Sequence, residues 1–203
     1  MKVLMINASP RKDGNTTLAL EEMKKVFDKN GIETEIVRVG GLEVSGCIGC
    51  SFCYKNGRCV KEDIVNELAK KFEDADGLVV GTPVYYSSPN GTVISLLDRL
   101  FYSSHFSKCM KVGAAVCAAR RGGLATTFDV LNKYFAISGM PIATSSYWND
   151  VHGRKVGEAA NDLEGMQTMR NLAENMTFLM KSIALGKKEY GEREMEKKIY
   201  TNL

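Results

Sequence analysis

Residues 2–17 read KVLMINASPRKDGNTT. Val3 to Ile6 is an unbroken apolar run, and the turn residues Asn7-Ala8-Ser9-Pro10 end it. Such a run, with no polar alternation, reads as a parallel strand covered on both faces. Past the loop Ser9 to Thr17, the segment Thr16 to Asn30 places Leu18, Leu20, Met23, Val26 and Phe27 at helical spacing, and Asn30-Gly31 stops it. Ile32 to Val39 then alternates Ile32, Thr34 and Ile36 with Glu33 and Glu35, as an edge or near-edge strand would. The chain therefore opens strand, helix, strand.

The same alternation continues downstream. Asp63 to Ala75 reads as a helix, Leu78 to Val80 as a third strand stopped by Gly81-Thr82-Pro83, and Thr92 to Phe101 as a helix. Val112 to Ala119 reads as a central strand, Leu124 to Ile137 as a helix, Pro141 to Tyr147 as a fifth strand, and Leu163 to Leu185 as the last helix. Strands alternating with helices of this length predict an α/β fold, doubly wound, with a parallel sheet covered on both faces. Ligands of such sheets lie beyond the carboxyl ends of the strands, where the strand order reverses. The loops that matter are then Ser9 to Thr17, Pro83 to Gly91 and Arg120 to Gly123.

The first loop joins a buried strand to a helix, so its free N–H groups and the positive end of the helix dipole converge on one point. That is an anion site. Ser9, Asn15, Thr16 and Thr17 offer side-chain donors, and Arg11 and Lys12 add charge. There is no G-x-x-x-x-G-K-[ST] and no G-x-G-x-x-G, which leaves a terminal monophosphate. The plainer role of Asn15 or Thr16 as a helix cap stays open. Pro83, Val84, Tyr85, Tyr86 and Ser87 bring aromatic rings, a hydroxyl and free amides to the same end of the sheet, as a flat heterocycle requires, although Tyr85 and Tyr86 also suit a core or an interface. Arg120, Arg121, Gly122 and Gly123 offer cations and amides beside them. Together these loops make a mononucleotide site, and flavin is the ring that pairs naturally with redox cysteines.

Those cysteines lie in Gly46 to Val60, GCIGCSFCYKNGRCV, where Cys47, Cys50, Cys53 and Cys59 form a C-x2-C-x2-C-x5-C run. Three thiols recurring every third residue can be turned inward by one irregular turn, and Asn56-Gly57 softens the step to the fourth. The geometry suits a compact cubane of iron and sulfide. Gly46, Gly49 and Gly57 fit a loop that needs positive φ. The run differs from the bacterial ferredoxin pattern in its five-residue last step and in lacking a following Pro. Zinc, which usually takes two separated Cys pairs, and a metal-free loop remain alternatives. Cys117, inside an apolar strand, reads as an inert core thiol.

The 203 residues suit one domain with additions, and 44% hydrophobic with 25% charged residues exclude a disordered or fibrous chain. A net charge of +3 argues against a nucleic-acid partner, and no apolar stretch approaches a membrane span. MKVLMINASP is too short an apolar run for a signal peptide, so the expected location is cytoplasmic, where six cysteines favour metal or redox use over disulfides. Residues 1–185 are expected to form the mononucleotide-binding domain, with the cysteine-rich loop at 40–61, and residues 186–203 a charged tail. His105 and His152 read as surface or loop residues. Trp148 could screen a flavin or a partner, or simply pack.

Ser9-Pro-Arg, Gly14-Asn15-Thr16 and Thr82-Pro83-Val84-Tyr85-Tyr86, taken with the four cysteines, resemble the flavodoxin-like NAD(P)H-dependent FMN reductase superfamily and, within it, the iron–sulfur flavoprotein branch. The resemblance covers nearly the whole chain. It implies a five-stranded sheet in the order 2-1-3-4-5 with the cysteine loop inserted after strand 2, non-covalent FMN, and a [4Fe–4S] cluster on Cys47, Cys50, Cys53 and Cys59. It also implies a homodimer or homotetramer in which cluster and flavin approach across a subunit interface. NAD(P)H is the candidate donor, and a small redox protein or small-molecule acceptor the partner.

Overall fold

Val3 and Met5 face one side of the central sheet and Leu4 and Ile6 the other, and all four are completely buried. This two-sided burial is why the first strand carries no polar alternation. The computed structural model describes the chain except for Met195, Lys198, Tyr200, Asn202 and Leu203. In order the elements are β1 (Lys2–Asn7), α1 (Asn15–Lys29), β2 (Glu33–Arg38), α2 (Phe52–Asn56), α3 (Ile64–Asp74), β3 (Gly77–Tyr85), β4 (Ser88–Pro89), α4 (Gly91–Ser103), β5 (Val112–Ala119), α5 (Leu124–Ile137), β6 (Asp150–His152) and α6 (Leu163–Tyr190), with a 3-10 turn at Glu158–Asn161 before the last.

The sheet order is β2-β1-β3-β5-β6, all parallel, while β4 turns back antiparallel on β3. With that hairpin set aside, the order is the expected 2-1-3-4-5. Val3 and Met5 join the core under α1 and α6; Leu4 and Ile6 join the core under α3 and α4, with Leu131 and Phe135 of α5. The order reverses between β1 and β3, so a crevice opens at their carboxyl ends.

Three sequence expectations need correction. The third strand does not stop at Gly81-Thr82-Pro83 but runs to Tyr85, with Pro83 opposite Ala118. The fifth strand is not Pro141 to Tyr147. Only Ile142 bridges to Gly113 there, and the strand proper is Asp150–His152. Between the two, polar residues tie the chain to α6 instead of the sheet: Ser145 Oγ donates to the Thr168 carbonyl, Asn175 Nδ2 to the Thr144 carbonyl, and Asn171 Nδ2 to Ser146 Oγ. Finally, the last helix passes Leu185 and ends at Tyr190, so the first residues assigned to the tail are helical. Ile199 is exposed, and its apolar neighbour Tyr200 lies outside the described residues.

Candidate functional site

The crevice at the switch point has a volume of about 180 Å³ and is walled by four segments. Ser9, Pro10, Arg11, Gly14, Asn15 and Thr16 form one wall; Pro83, Val84 and Tyr85 the second; Ala118, Ala119 and Arg120 the third. The fourth segment, Gly153 and Arg154, arrives because β6 is displaced toward the chain's later residues. Nothing in the sequence pattern marked this pair.

Gly14 is the N-cap of α1 and contributes no capping side chain, so the first helical amides carry no side-chain acceptor. An anion placed there meets those amides and the helix dipole, and Arg11, Arg120 and Arg154 supply charge around it. The terminal phosphate of FMN fits this donor set. The side chains first expected to bind it are partly committed elsewhere. Ser9 Oγ donates to the Arg11 carbonyl and accepts from the Arg11 N–H, which shapes the loop. Asn15 donates to the Lys155 carbonyl and accepts from the Ala159 N–H, each at 3.1 Å. Thr17 accepts from Asn7 Nδ2 and donates to the Lys12 carbonyl, and it does not line the crevice.

The second loop is a tight hairpin. Tyr85 pairs with Ser88, and both residues between them, Tyr86 and Ser87, have positive φ. Tyr85 is half exposed on the crevice wall, while Tyr86 stands fully in solvent beyond it. Asn90 holds the hairpin to the first loop: its Nδ2 donates to the Ala8 carbonyl, and its Oδ1 caps α4 at Val93. In the third loop, Gly123 is the left-handed N-cap of α5, where a Cβ would fall 2.7 Å from the Ser87 Cα. Gly123 thus locks the hairpin, and Gly122 is exposed; neither lines the crevice. Trp148 packs edge-on against Tyr147 at 5.0 Å and lies outside the crevice walls. His152 Nδ1 lies 3.4 Å from Asp162 Oδ2, so this histidine is paired.

The cysteine loop leaves β2 directly beside the anion site, since a Cβ on Gly40 would fall 2.0 Å from the Ser9 carbonyl oxygen. Gly49, Ser51 and Gly57 take positive φ, whereas Gly46 does not. Ser51 and Gly57 bracket the short helix α2, which the sequence pattern did not reveal. Cys47, Cys50, Cys53 and Cys59 all border one small cavity of about 30 Å³, closed by Ile48, Val60, Tyr102 and Arg99. Cys47 and Cys50 are exposed, Cys59 is partly covered and Cys53 is buried. Among the described residues, no three His, Cys, Asp or Glu side chains stand in metal-binding geometry. The chemistry of this four-thiol donor set, gathered at one cavity, fits an iron–sulfur cluster.

Arg99 is the unforeseen residue here. Its side chain is 1% exposed, and it binds Asp63 through two nitrogens at 2.7 and 2.9 Å and the Cys59 sulfur through two more contacts at 3.3 Å. Burial disfavours the guanidinium charge, but the bonds to Asp63 and Cys59 outweigh it and hold the pKa above its ordinary value. The signal was present in ISLLDRLF, where an Arg lies three residues from Leu96 on the buried stripe of an apolar helix. Cys117 is the expected core thiol, its pKa pushed up by burial and by Asp150.

The sequence model of the NADPH-dependent FMN reductase family matches residues 1–155. The chain belongs to this family. It is accordingly an FMN-binding flavoprotein and an FMN-dependent oxidoreductase. Among its relatives is an iron-sulfur flavoprotein of Methanocaldococcus jannaschii, 36% identical over 191 residues that cover 90% of this chain and 99% of the relative. Among solved structures, RosB with a bound 8-demethyl-8-formylriboflavin-5'-phosphate intermediate superposes with a TM-score of 0.72 at 17% identity, covering 100% of this chain and 92% of that one. A flavodoxin from the domain Archaea gives a TM-score of 0.60 at 13% identity, covering 89% and 99% respectively. The fold is flavodoxin-like. No helix among the described residues is long and apolar enough to cross a membrane.

Proposed function

We propose that this member of the FMN reductase family is an iron–sulfur flavoprotein, exchanging electrons between a [4Fe–4S] cluster on Cys47, Cys50, Cys53 and Cys59 and FMN in the switch-point crevice, and delivering them to a small acceptor or redox protein. The observation that carries the reading is that the four cysteines border one cavity, in a loop that leaves the sheet against the Ser9 anion site. Bound FMN would supply the conversion between hydride and single-electron chemistry.

The chain's own groups bind and orient. The uncapped first turn of α1, with Arg11, Arg120 and Arg154, holds the phosphate; the backbone around Pro83 to Tyr85 and Ala118 to Arg120 meets the ring edges. NAD(P)H is the candidate donor. A homodimer or homotetramer in the cytoplasm is the proposed working form, without nucleic acid or membrane as partner.

A second reading is an NAD(P)H-dependent FMN, quinone or nitro-compound reductase whose cysteine loop carries no metal. The match of residues 1–155 to the NADPH-dependent FMN reductase family supports it. Absorption spectra of anaerobically purified protein, with iron, acid-labile sulfide and FMN counted per chain, separate the two. About four irons and four sulfides per chain support the cluster, whereas flavin bands without iron leave the reductase. NADPH oxidation with quinone acceptors then tests the second reading directly.

A further inference from the structure

Arg99 is a charged side chain buried in the middle of an apolar helix, and every one of its five N–H donors has a partner. Nε and Nη2 each reach the Cys59 sulfur at 3.3 Å; Nη1 donates to the Ser45 carbonyl at 3.2 Å and to Asp63 Oδ2 at 2.7 Å; Nη2 also donates to Asp63 Oδ1 at 2.9 Å. Ser45 and Cys59 flank the cysteine loop on its two sides. Asp63 is the N-cap of α3, where its Oδ1 also accepts from the Val65 N–H. A fully satisfied buried guanidinium is tolerable where an unpaired one is not. Fixing a loop alone needs no charge, and a neutral donor would serve with less desolvation. The charge therefore calls for an explanation beyond packing.

We infer that Arg99 sets the reduction potential of the cluster, by directing a buried positive charge and two N–H donors at the Cys59 sulfur. The inference rests on the cluster reading proposed above. One electron entering a cluster adds one negative charge, which spreads onto the thiolate sulfurs. N–H donors and positive charge beside a sulfur favour that more negative state and raise the potential. Asp63 opposes the effect, because its carboxylate partly neutralises the guanidinium it orients. Arg99 is thus a positioning residue whose influence passes through Cys59, and the two members of the ion pair push the potential in opposite directions.

The test is a reductive titration with dithionite under anaerobic conditions, followed by electron paramagnetic resonance, with iron, sulfide and FMN counted per chain. Arg99→Met should shift the midpoint negative. Arg99→Lys should shift it less, since an ammonium keeps the charge but cannot serve Cys59, Ser45 and Asp63 with one planar fork. Asp63→Asn retains an oxygen able to cap Val65 and should shift the midpoint positive. If Arg99→Met does not retain iron, the lysine and asparagine variants carry the test. Unchanged midpoints, or shifts of one sign in the Arg99 and Asp63 variants, would overturn the inference. So would loss of iron with FMN retained in Arg99→Lys, which would make Arg99 a builder of the loop only. Wild-type protein without iron would overturn the cluster reading, and this inference with it.

Discussion

The side-chain amide of Asn15, at the start of α1, clasps the turn after β6, donating to the Lys155 carbonyl and accepting from the Ala159 N–H at 3.1 Å each. The residue that resembles a phosphate ligand in sequence is a strut between two walls of the crevice. Asn15→Ala is expected to cost about 1–2 kcal/mol, the worth of two neutral hydrogen bonds. It should also weaken FMN retention, by freeing the segment that carries Arg154. Thermal melts with and without added FMN check both effects; loss of FMN affinity with no loss of apo-protein stability would instead make Asn15 a direct ligand.

Gly40 lies where the cysteine loop leaves β2 against the anion site. A Cβ there would fall 2.0 Å from the Ser9 carbonyl oxygen and 2.6 Å from the Pro10 nitrogen, both backbone atoms. Backbone cannot rotate away as a side chain can. Gly40→Ala is therefore expected to destabilise by about 1–3 kcal/mol or more and to displace the phosphate loop. Purified variant should contain less FMN per chain, with a lower Tm. Full FMN content would show that the loop accommodates the methyl group.

The hairpin joining β3 to β4 places Tyr86 and Ser87 at φ of 49° and 59°. Two-residue hairpin loops with both residues in this region favour Asn-Gly, and other L-residues cost roughly 1–2 kcal/mol each there. Tyr86 is fully exposed and loses no packing on replacement. The double variant Tyr86→Asn/Ser87→Gly should therefore gain about 1–2 kcal/mol in stability. Measuring FMN affinity alongside tells why the strain is present: if stability rises while affinity falls, the strained hairpin serves flavin binding, and if affinity is unchanged it does not.

The first half of the fold was legible because its signals are local. The run from Val3 to Ile6, the helical spacing of Leu18 to Phe27 and the glycine after Asn30 each specify an element without reference to the rest. The fifth strand was not legible. Pro141 to Tyr147 has strand-like residues, but Thr144, Ser145 and Ser146 bond to α6, and a competition between sheet and helix partners leaves no periodic trace. The same displacement hid Gly153 and Arg154, since the loop at the crevice is wherever the strand ends. Asn15 and Thr17 show the limit for site residues: type and position identified the right loop, whereas the partner each side chain takes depends on contacts with Asn7, Lys155 and Ala159.

Asp150, opposite Cys117 in the β5–β6 ladder, is 7% exposed. Burial pushes its carboxyl above the ordinary 3.8; His152 works against this, and Asp162 and Glu164 add to it. Because the folded state holds this proton more tightly than the unfolded state does, stability linked to Asp150 is greatest below the unfolded pKa and falls as pH rises through the folded one. At neutral pH the ionised carboxylate is a burden on the fold. Asp150→Asn keeps the shape and removes the charge, so its Tm should exceed that of the wild type at pH 7, by about 2–4 °C for each kcal/mol relieved in a chain of this size. The gap should close as pH falls toward the ordinary aspartate range. Melts from pH 4 to pH 8 read the difference directly, and a gap that is constant with pH, or widest in acid, would show that Asp150 ionises in the fold as freely as in the unfolded chain.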